Sequence, residues 1–229
     1  MKIYLATYNK KNNGRFRWQT LLLICIALTP LNLAAELLYP PVNDNLAKSW
    51  NVDSEALIRT LGIDPKAEEL WAKSRDAACL KVGLLPSKCS SEGKSLGDMK
   101  QLADTGNPIY QNNYAAHLEA LVNDDTAQKE AFQYYLAAAK QGLPHAQVTI
   151  GWKLLHGLGV ARDPVAAFEW NQRGALQGHP EGANNLGFQY EFGIGVKQNY
   201  ESAINWYTYA ALRGSTIAYG YLFDMKAKK

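Results

Sequence analysis

The stretch H-A-Q-V-T-I-G-W-K-L-L-H-G-L-G-V-A-R-D-P-V-A-A-F-E-W, from His145 to Trp170, returns as E-G-A-N-N-L-G-F-Q-Y-E-F-G-I-G-V-K-Q-N-Y-E-S-A-I-N-W from Glu181 to Trp206. Gly151, Gly157, Gly159, Val160, Trp170, Ala175 and Gly178 recur 36 positions later as Gly187, Gly193, Gly195, Val196, Trp206, Ala211 and Gly214. Seven identities at one spacing mark a tandem repeat, and a period of this length builds a stack of supersecondary units. Inside each unit the apolar spacing is helical: Ala146, Ile150 and Leu154 first, then Ala167, Trp170 and Ala175. Gly157 to Val160 and Gly193 to Val196 supply positions that tolerate positive φ, so one helix ends and the chain reverses there. Asp163 before Pro164 reads as a cap followed by proline at the first helical position. Each unit is therefore a helix pair, and the small residues Ala175, Gly178, Ala211 and Gly214 are expected to let neighbouring helices approach closely.

The same shift taken backwards sets Ala131, Tyr134, Ala139 and Gly142 opposite Ala167, Trp170, Ala175 and Gly178. A degenerate unit at 109–144 thus precedes those at 145–180 and 181–216. Its Leu121-Val122-Asn123-Asp124 replaces the glycine-rich turn and predicts a tighter connection. Forwards, Ala218 and Leu222 occupy the places of Ala146 and Ile150, so residues 217–229 read as half a repeat.

The pattern resembles the Sel1-like repeat, a tetratricopeptide-related helix pair running A-x-x-x-L-G-x-x-Y-x-x-G-x-G-V, an Asp, then A-x-x-W and A-A-x-x-G. The resemblance covers residues 109–229, with Leu154 in place of the first Tyr and Gly182 in place of the second Ala. It implies an all-α protein, a right-handed α-solenoid whose concave face binds other proteins or peptides. Exported members of that family serve as immunity proteins against type VI secretion effectors, or as regulators and assembly adaptors of envelope complexes. The resemblance accordingly implies an envelope protein or a secreted effector as partner.

Charge points away from other partner classes. The 229 residues carry 24 Lys+Arg and 21 Asp+Glu, a net charge of +3. Residues 1–35 hold five of those bases (Lys2, Lys10, Lys11, Arg15 and Arg17) and no acid, which leaves −2 on the rest. Nucleic-acid binding needs Lys and Arg gathered on one face, and no such cluster follows residue 35. At 47% hydrophobic and 20% charged the composition is that of a globular chain.

Residues 1–35 read as an export signal. A basic polar stretch precedes an apolar run from Leu21 to Ala35, interrupted by Pro30 and shorter than the ~20 residues of a membrane span. Ala34 and Ala35 offer a cleavage site, and an uncleaved anchor, the one route to membrane contact, is the alternative. Either way the remainder is expected in the periplasm. Cys79 and Cys89 would then lie in an oxidising compartment and are expected to pair, closing a short loop worth about 2–3 kcal/mol. Two buried free thiols are the other reading.

Residues 36–108 lack the period and read as an amino-terminal helical cap that shields the first repeat. Asp53-Ser54 predicts a short helix through Thr60 ended by Gly62, Asp64-Pro65 a longer one to about Gly83, and Ser95–Thr105 a third.

Catalytic chemistry is poorly supported. His117, His145, His156 and His179 show no metal-binding spacing along one helix and read as ordinary polar residues, so neither metal nor cofactor is expected. Ser91-Glu92-Gly93-Lys94 matches the S-x-x-K element of serine β-lactamases, but its companion motifs are missing, and a β-lactam or cell-wall hydrolase stays a remote alternative. The candidate protein-binding residues lie on the first helices of the repeats: Val148, Trp152 and Lys153, then Asn184, Asn185, Phe188 and Glu191, and Tyr221 in the half repeat. The period sets Trp152 level with Phe188, and large aromatics among polar neighbours have hot-spot composition. Trp170 and Trp206 read as core.

Overall fold

Most helices begin where a side-chain oxygen can accept an otherwise unpaired amide. The computed structural model describes residues 40–67, 94–122 and 124–227, and these form helices without strands. Before the repeats come α1 (Asp44–Ser49), α2 (Ser54–Leu61) and α3 (Leu96–Asp104), capped by Asn43, Asp53 and Ser95. Three helix pairs follow: α4 (Pro108–Leu121) with α5 (Asp125–Lys140), α6 (Pro144–His156) with α7 (Pro164–Leu176), and α8 (Pro180–Phe192) with α9 (Tyr200–Leu212). A single helix, α10 (Thr216–Ala227), completes the order. Asp163 caps α7 as its sequence predicts, accepting from the amides of Val165 and Ala166. The boundaries predicted for α2 and α3 agree to within one residue, and α4 and α5 are joined by the short connection expected of the degenerate unit. The six-residue α1 was not anticipated. The leader, Cys79, Cys89, Ser91 to Gly93 and the helix expected from Pro65 onward, apart from its first residues, lie outside the described residues.

Glycine does the close packing, at positions other than those expected. A Cβ on Gly187 would lie 2.6 Å from the Tyr207 ring, and one on Gly151 would overlap the Asn171 side chain, so these glycines let the two helices of a pair touch. Val148 occupies the space that a side chain on Gly174 or Gly182 would need, which explains why Gly182 replaces the pattern's alanine. Gly178 and Gly214, read from sequence as contact residues, instead sit in turns at φ +90°. Between units a polar ladder repeats with the period. Gln141 Nε2 donates to the Gly106 carbonyl and Gln111 Oε1, at 3.0 and 2.8 Å. One unit on, Gln177 Nε2 donates to the Gly142 carbonyl and Gln147 Oε1, at 3.2 and 2.7 Å.

The segment before the repeats does not cap one end alone. Helix α3 packs on α4, whereas α1 and α2 pack on α9, in the last full pair. The Asn43 amide donates to the Leu212 carbonyl at 2.9 Å, and Ala47, Leu57 and Ile63 share one core with Trp206, Tyr209 and Leu212. Trp50 lies against Tyr219, ring centres 5.3 Å apart. Segments from the non-repetitive region thereby cover the first pair and part of the last, which removes apolar surface from water, while Ile217, Tyr219 and Phe223 of α10 stay exposed. Tyr207 and Tyr209 are fully buried, Tyr207 against Gly187 and the Tyr221 ring and Tyr209 in the core shared with α1 and α2. Trp206 is core as predicted; Trp170 is half-buried with the Arg173 guanidinium 4.4 Å from its ring centre.

Helix α3 is held by an ionic network. Lys100 Nζ donates to Glu130 Oε1 at 2.9 Å and to the Tyr134 hydroxyl at 2.7 Å, and the Tyr114 hydroxyl donates to the same Glu130 oxygen at 2.9 Å. The hydrogen bond from Lys100 holds the Glu130 carboxyl below its ordinary value of 4.5. The bonds to Tyr134 and Glu130 raise the Lys100 ammonium above its ordinary 10.5. A depressed carboxyl stabilises the fold above its unfolded pKa and stops doing so as pH falls through the folded one; the raised ammonium is lost only on the strongly alkaline side. Glu130→Gln is therefore expected to lower stability by about 0.5–1 kcal/mol at pH 7, since the pair is partly exposed. Its difference from wild type should close as pH drops below 4.5 toward 3. Urea denaturation at both pH values measures this, and a difference unchanged at pH 3 would show that the network is not electrostatic.

Candidate protein-binding surface

The first helix of each pair carries a stripe at i, i+4 and i+8: Asn112, Ala116 and Ala120 on α4, Val148, Trp152 and His156 on α6, Asn184, Phe188 and Phe192 on α8. Trp152 is 49% exposed and its ring lies 3.8 Å from that of His156. Phe192 is 54% exposed, with the half-buried Phe188 ring 4.8 Å away. The stripe therefore changes from alanines on the first pair to aromatic pairs on the next two. Its base is drier: Val148 is buried against the glycines of α7 and α8, and Asn184 keeps its Oδ1 buried without a hydrogen-bond partner among the described residues. Buried carbonyl oxygens nearly always find a donor, which makes this one an exception among the described residues.

Several residues expected to meet a partner are already engaged inside the stack. Lys153 is 3% exposed, paired with Glu119 and hydrogen-bonded to Gln128 Oε1 at 3.0 Å, so it fastens α6 to the preceding pair. Glu191 is buried and accepts from the Tyr207 hydroxyl at 3.0 Å. With Val148, these three were assigned to the surface by spacing alone, and burial removes them from it. Asn185 donates to Asn171 Oδ1 at 3.2 Å, and Tyr221 stacks on Tyr207 at 5.0 Å; both are half-buried. Trp152, Asn184 and Phe188 keep their place on the stripe. His156 and Phe192 were overlooked, although each follows a chosen aromatic by four residues, the interval that puts two side chains on one helical face.

The histidines are not the plain polar residues they seem in sequence. His179 is 2% exposed and caps α8, its Nδ1 accepting from the Glu181 amide at 3.2 Å. His145 lies stacked beside it, ring centres 5.6 Å apart. Lys94, last residue of the S-x-x-K match, precedes Ser95, the cap of α3, and is not helical.

No helix among the described residues is long and apolar enough to cross a membrane. A model of the Sel1 repeat matches residues 124–143, 144–179 and 180–215; the second and third matches run one residue ahead of the units read from sequence, and the first covers only the second part of the degenerate unit. Among solved structures, a Sel1 repeat protein from Oxalobacter formigenes is 35% identical, with a TM-score of 0.50 over 56% of this chain and 97% of its own. The Escherichia coli protective antigen c5321, which displays an SLR fold, is 24% identical, with a TM-score of 0.41 over 58% of this chain and 37% of its own. Helicobacter pylori cysteine rich protein B is 21% identical, with a TM-score of 0.47 over 57% and 98%. No curated protein matches the sequence. With its repeats matched and a relative 35% identical over 97% of that relative's length, the chain belongs to the Sel1 repeat family of helical-repeat scaffolds for protein–protein interaction.

Proposed function

We propose that this is an exported, non-enzymatic binding protein that grips one protein partner on the aromatic stripe of α6 and α8. The observation that carries the proposal is the pairing of Trp152 with His156 and of Phe188 with Phe192, exposed or half-exposed at equal positions of consecutive repeats. Large apolar rings left in water cost free energy that a partner recovers on covering them, and aromatic residues dominate binding hot spots. The leader at 1–35 supports export to the periplasm, and the near-neutral remainder supports recognition by shape more than by net charge. The finer reading is immunity against a type VI secretion effector, with regulation or assembly of an envelope complex as its rival.

Affinity capture from the periplasmic fraction, followed by mass spectrometry, tests the proposal and divides the finer readings. A secreted effector recovered in stoichiometric amount supports immunity; a sensor kinase or motor component supports regulation. Recovery of no protein partner would overturn the binding reading, as would hydrolysis of a chromogenic β-lactam by the purified protein for the non-enzymatic one.

A further inference from the structure

We propose that His145, His179 and Glu181 form a binding site for a divalent transition metal of the zinc class. Their ligand atoms all lie within 4.8 Å of one another. His145 Nδ1 and His179 Nε2 are 3.4 Å apart, about the separation of two nitrogens that share one tetrahedral ion at roughly 2.0–2.1 Å. A rotation of the exposed Glu181 side chain brings a carboxylate oxygen to the third corner, and the fourth stays open to water, as in three-ligand zinc sites.

The repeat builds this constellation. His145 and Glu181 occupy the same position of successive units, each directly after the proline that opens α6 or α8. His179 is the residue before the second of those prolines. Stacking the units sets the first turn of α6 beside that of α8, so residues 34 positions apart in sequence meet on two well-packed helices. Metal-ligand spacing within one helix is the wrong test for such a fold; the relevant interval is the repeat period.

Protonation suits a ligand role. A coordinating histidine must be neutral. Burial, then the neighbouring His145 and Arg213, push the His179 imidazole down to about 3, and burial also lowers that of His145. The tautomer sets the energetic cost. His179 Nδ1 accepts from the Glu181 amide, so Nε2 carries the proton of the neutral ring and faces His145 Nδ1. A metal taking Nε2 displaces that proton, and for the ring to stay neutral the proton moves to Nδ1, so the capping bond of α8 from the Glu181 amide is lost. Arg213 and the positive ends of α6 and α8 also oppose a cation. The Glu181 carboxylate offsets them, and the expected affinity is below that of a closed four-ligand site.

The test is a titration of the purified full-length protein with Zn²⁺, read as thermal stability, and with Co²⁺, read as visible absorption. Zn²⁺ at a hundredfold excess over its Kd should raise Tm by about 5 °C, and Co²⁺ should give the absorption of a tetrahedral ion with nitrogen and oxygen ligands. His145→Ala and Glu181→Gln alter exposed side chains and should leave the metal-free Tm unchanged while weakening both responses at least tenfold. A Tm that does not rise, or a response equal in His145→Ala, would place any metal elsewhere and overturn the site. Partner capture does not enter this test, so the metal site and the binding surface stand or fall separately.

Discussion

Gly195→Val is expected to unfold the last full repeat. Gly195 sits at φ +73°, a backbone region that β-branched residues adopt only with strain, which alone costs on the order of 1–3 kcal/mol. The larger obstacle is space. A Cβ on Gly195 would overlap the Pro164 carbonyl of the preceding unit, where the turn after α8 rests on the start of α7. The equivalent Gly159 meets the Gln128 carbonyl in the same way, so the glycine repeats because each turn touches the backbone of the unit before it. Overlap with backbone cannot be relieved by a rotamer change, and overpacking adds about 1–3 kcal/mol more. The total, roughly 2–6 kcal/mol, is a large fraction of an ordinary folding free energy. Hydrogen exchange should show the amides of α8 and α9 losing protection before those of α4 and α5. Gly62→Ala provides the comparison. Gly62 has a similar φ of +70° but its nearest neighbour is the Leu176 side chain at 3.9 Å, so strain acts there without collision. Gly195→Ala should therefore cost clearly more than Gly62→Ala, and equal costs would refute the contact argument.

Glu119→Ala is expected to destabilise by about 2–4 kcal/mol, because it strands a buried charge. The Lys153 side chain is 4% exposed, with Glu119 as its counter-ion, Gln128 as a second acceptor and the Tyr135 ring 5.6 Å away. Removing one partner of a buried pair leaves the other desolvated without compensation, whereas replacing both partners by apolar residues of similar volume is often near neutral. Since Glu119 keeps 21% of its surface in water, a loss in the lower part of the usual range is expected. Lys153→Met alone strands the Glu119 carboxylate instead and should cost about 1–2 kcal/mol, less than Glu119→Ala because Glu119 reaches water, and combining the two should restore most of what Glu119→Ala loses. Denaturant titration of the four proteins measures the cycle. A double variant no more stable than Glu119→Ala would show that the loss comes from packing.

The repeat was legible because it is a local pattern reiterated. Caps such as Asp53, Ser95 and Asp163 and terminating glycines such as Gly62 act within a few residues, and their helices follow the sequence closely. What stayed hidden depends on contacts between distant segments. Nothing near Ala47 or Leu57 signals that α1 and α2 pack on α9 and share a core with Trp206, Tyr209 and Leu212. Lys153 looks like a solvent-facing neighbour of Trp152 until the preceding unit supplies Glu119. Val148 and Glu191 were misplaced for a related reason: helical spacing gives a face, and the helices packed on it, Gly174 and Gly182 against Val148 and Tyr207 against Glu191, decide whether that face is covered. The histidine pair needed the repeat register for its recognition. Trp152 and Phe188 were found because large apolar side chains at equal repeat positions, one helical turn from further rings, lie on a face that the stack leaves largely open.

The most direct test is the affinity of the captured partner for the double variant Trp152→Ala and Phe188→Ala, measured by calorimetric titration beside wild type. Loss of two aromatic anchors should weaken binding at least a hundredfold, while far-ultraviolet circular dichroism and Tm stay close to wild type. Unchanged affinity would contradict the placement of the partner on this stripe, and loss of helicity would show that both rings belong to the core.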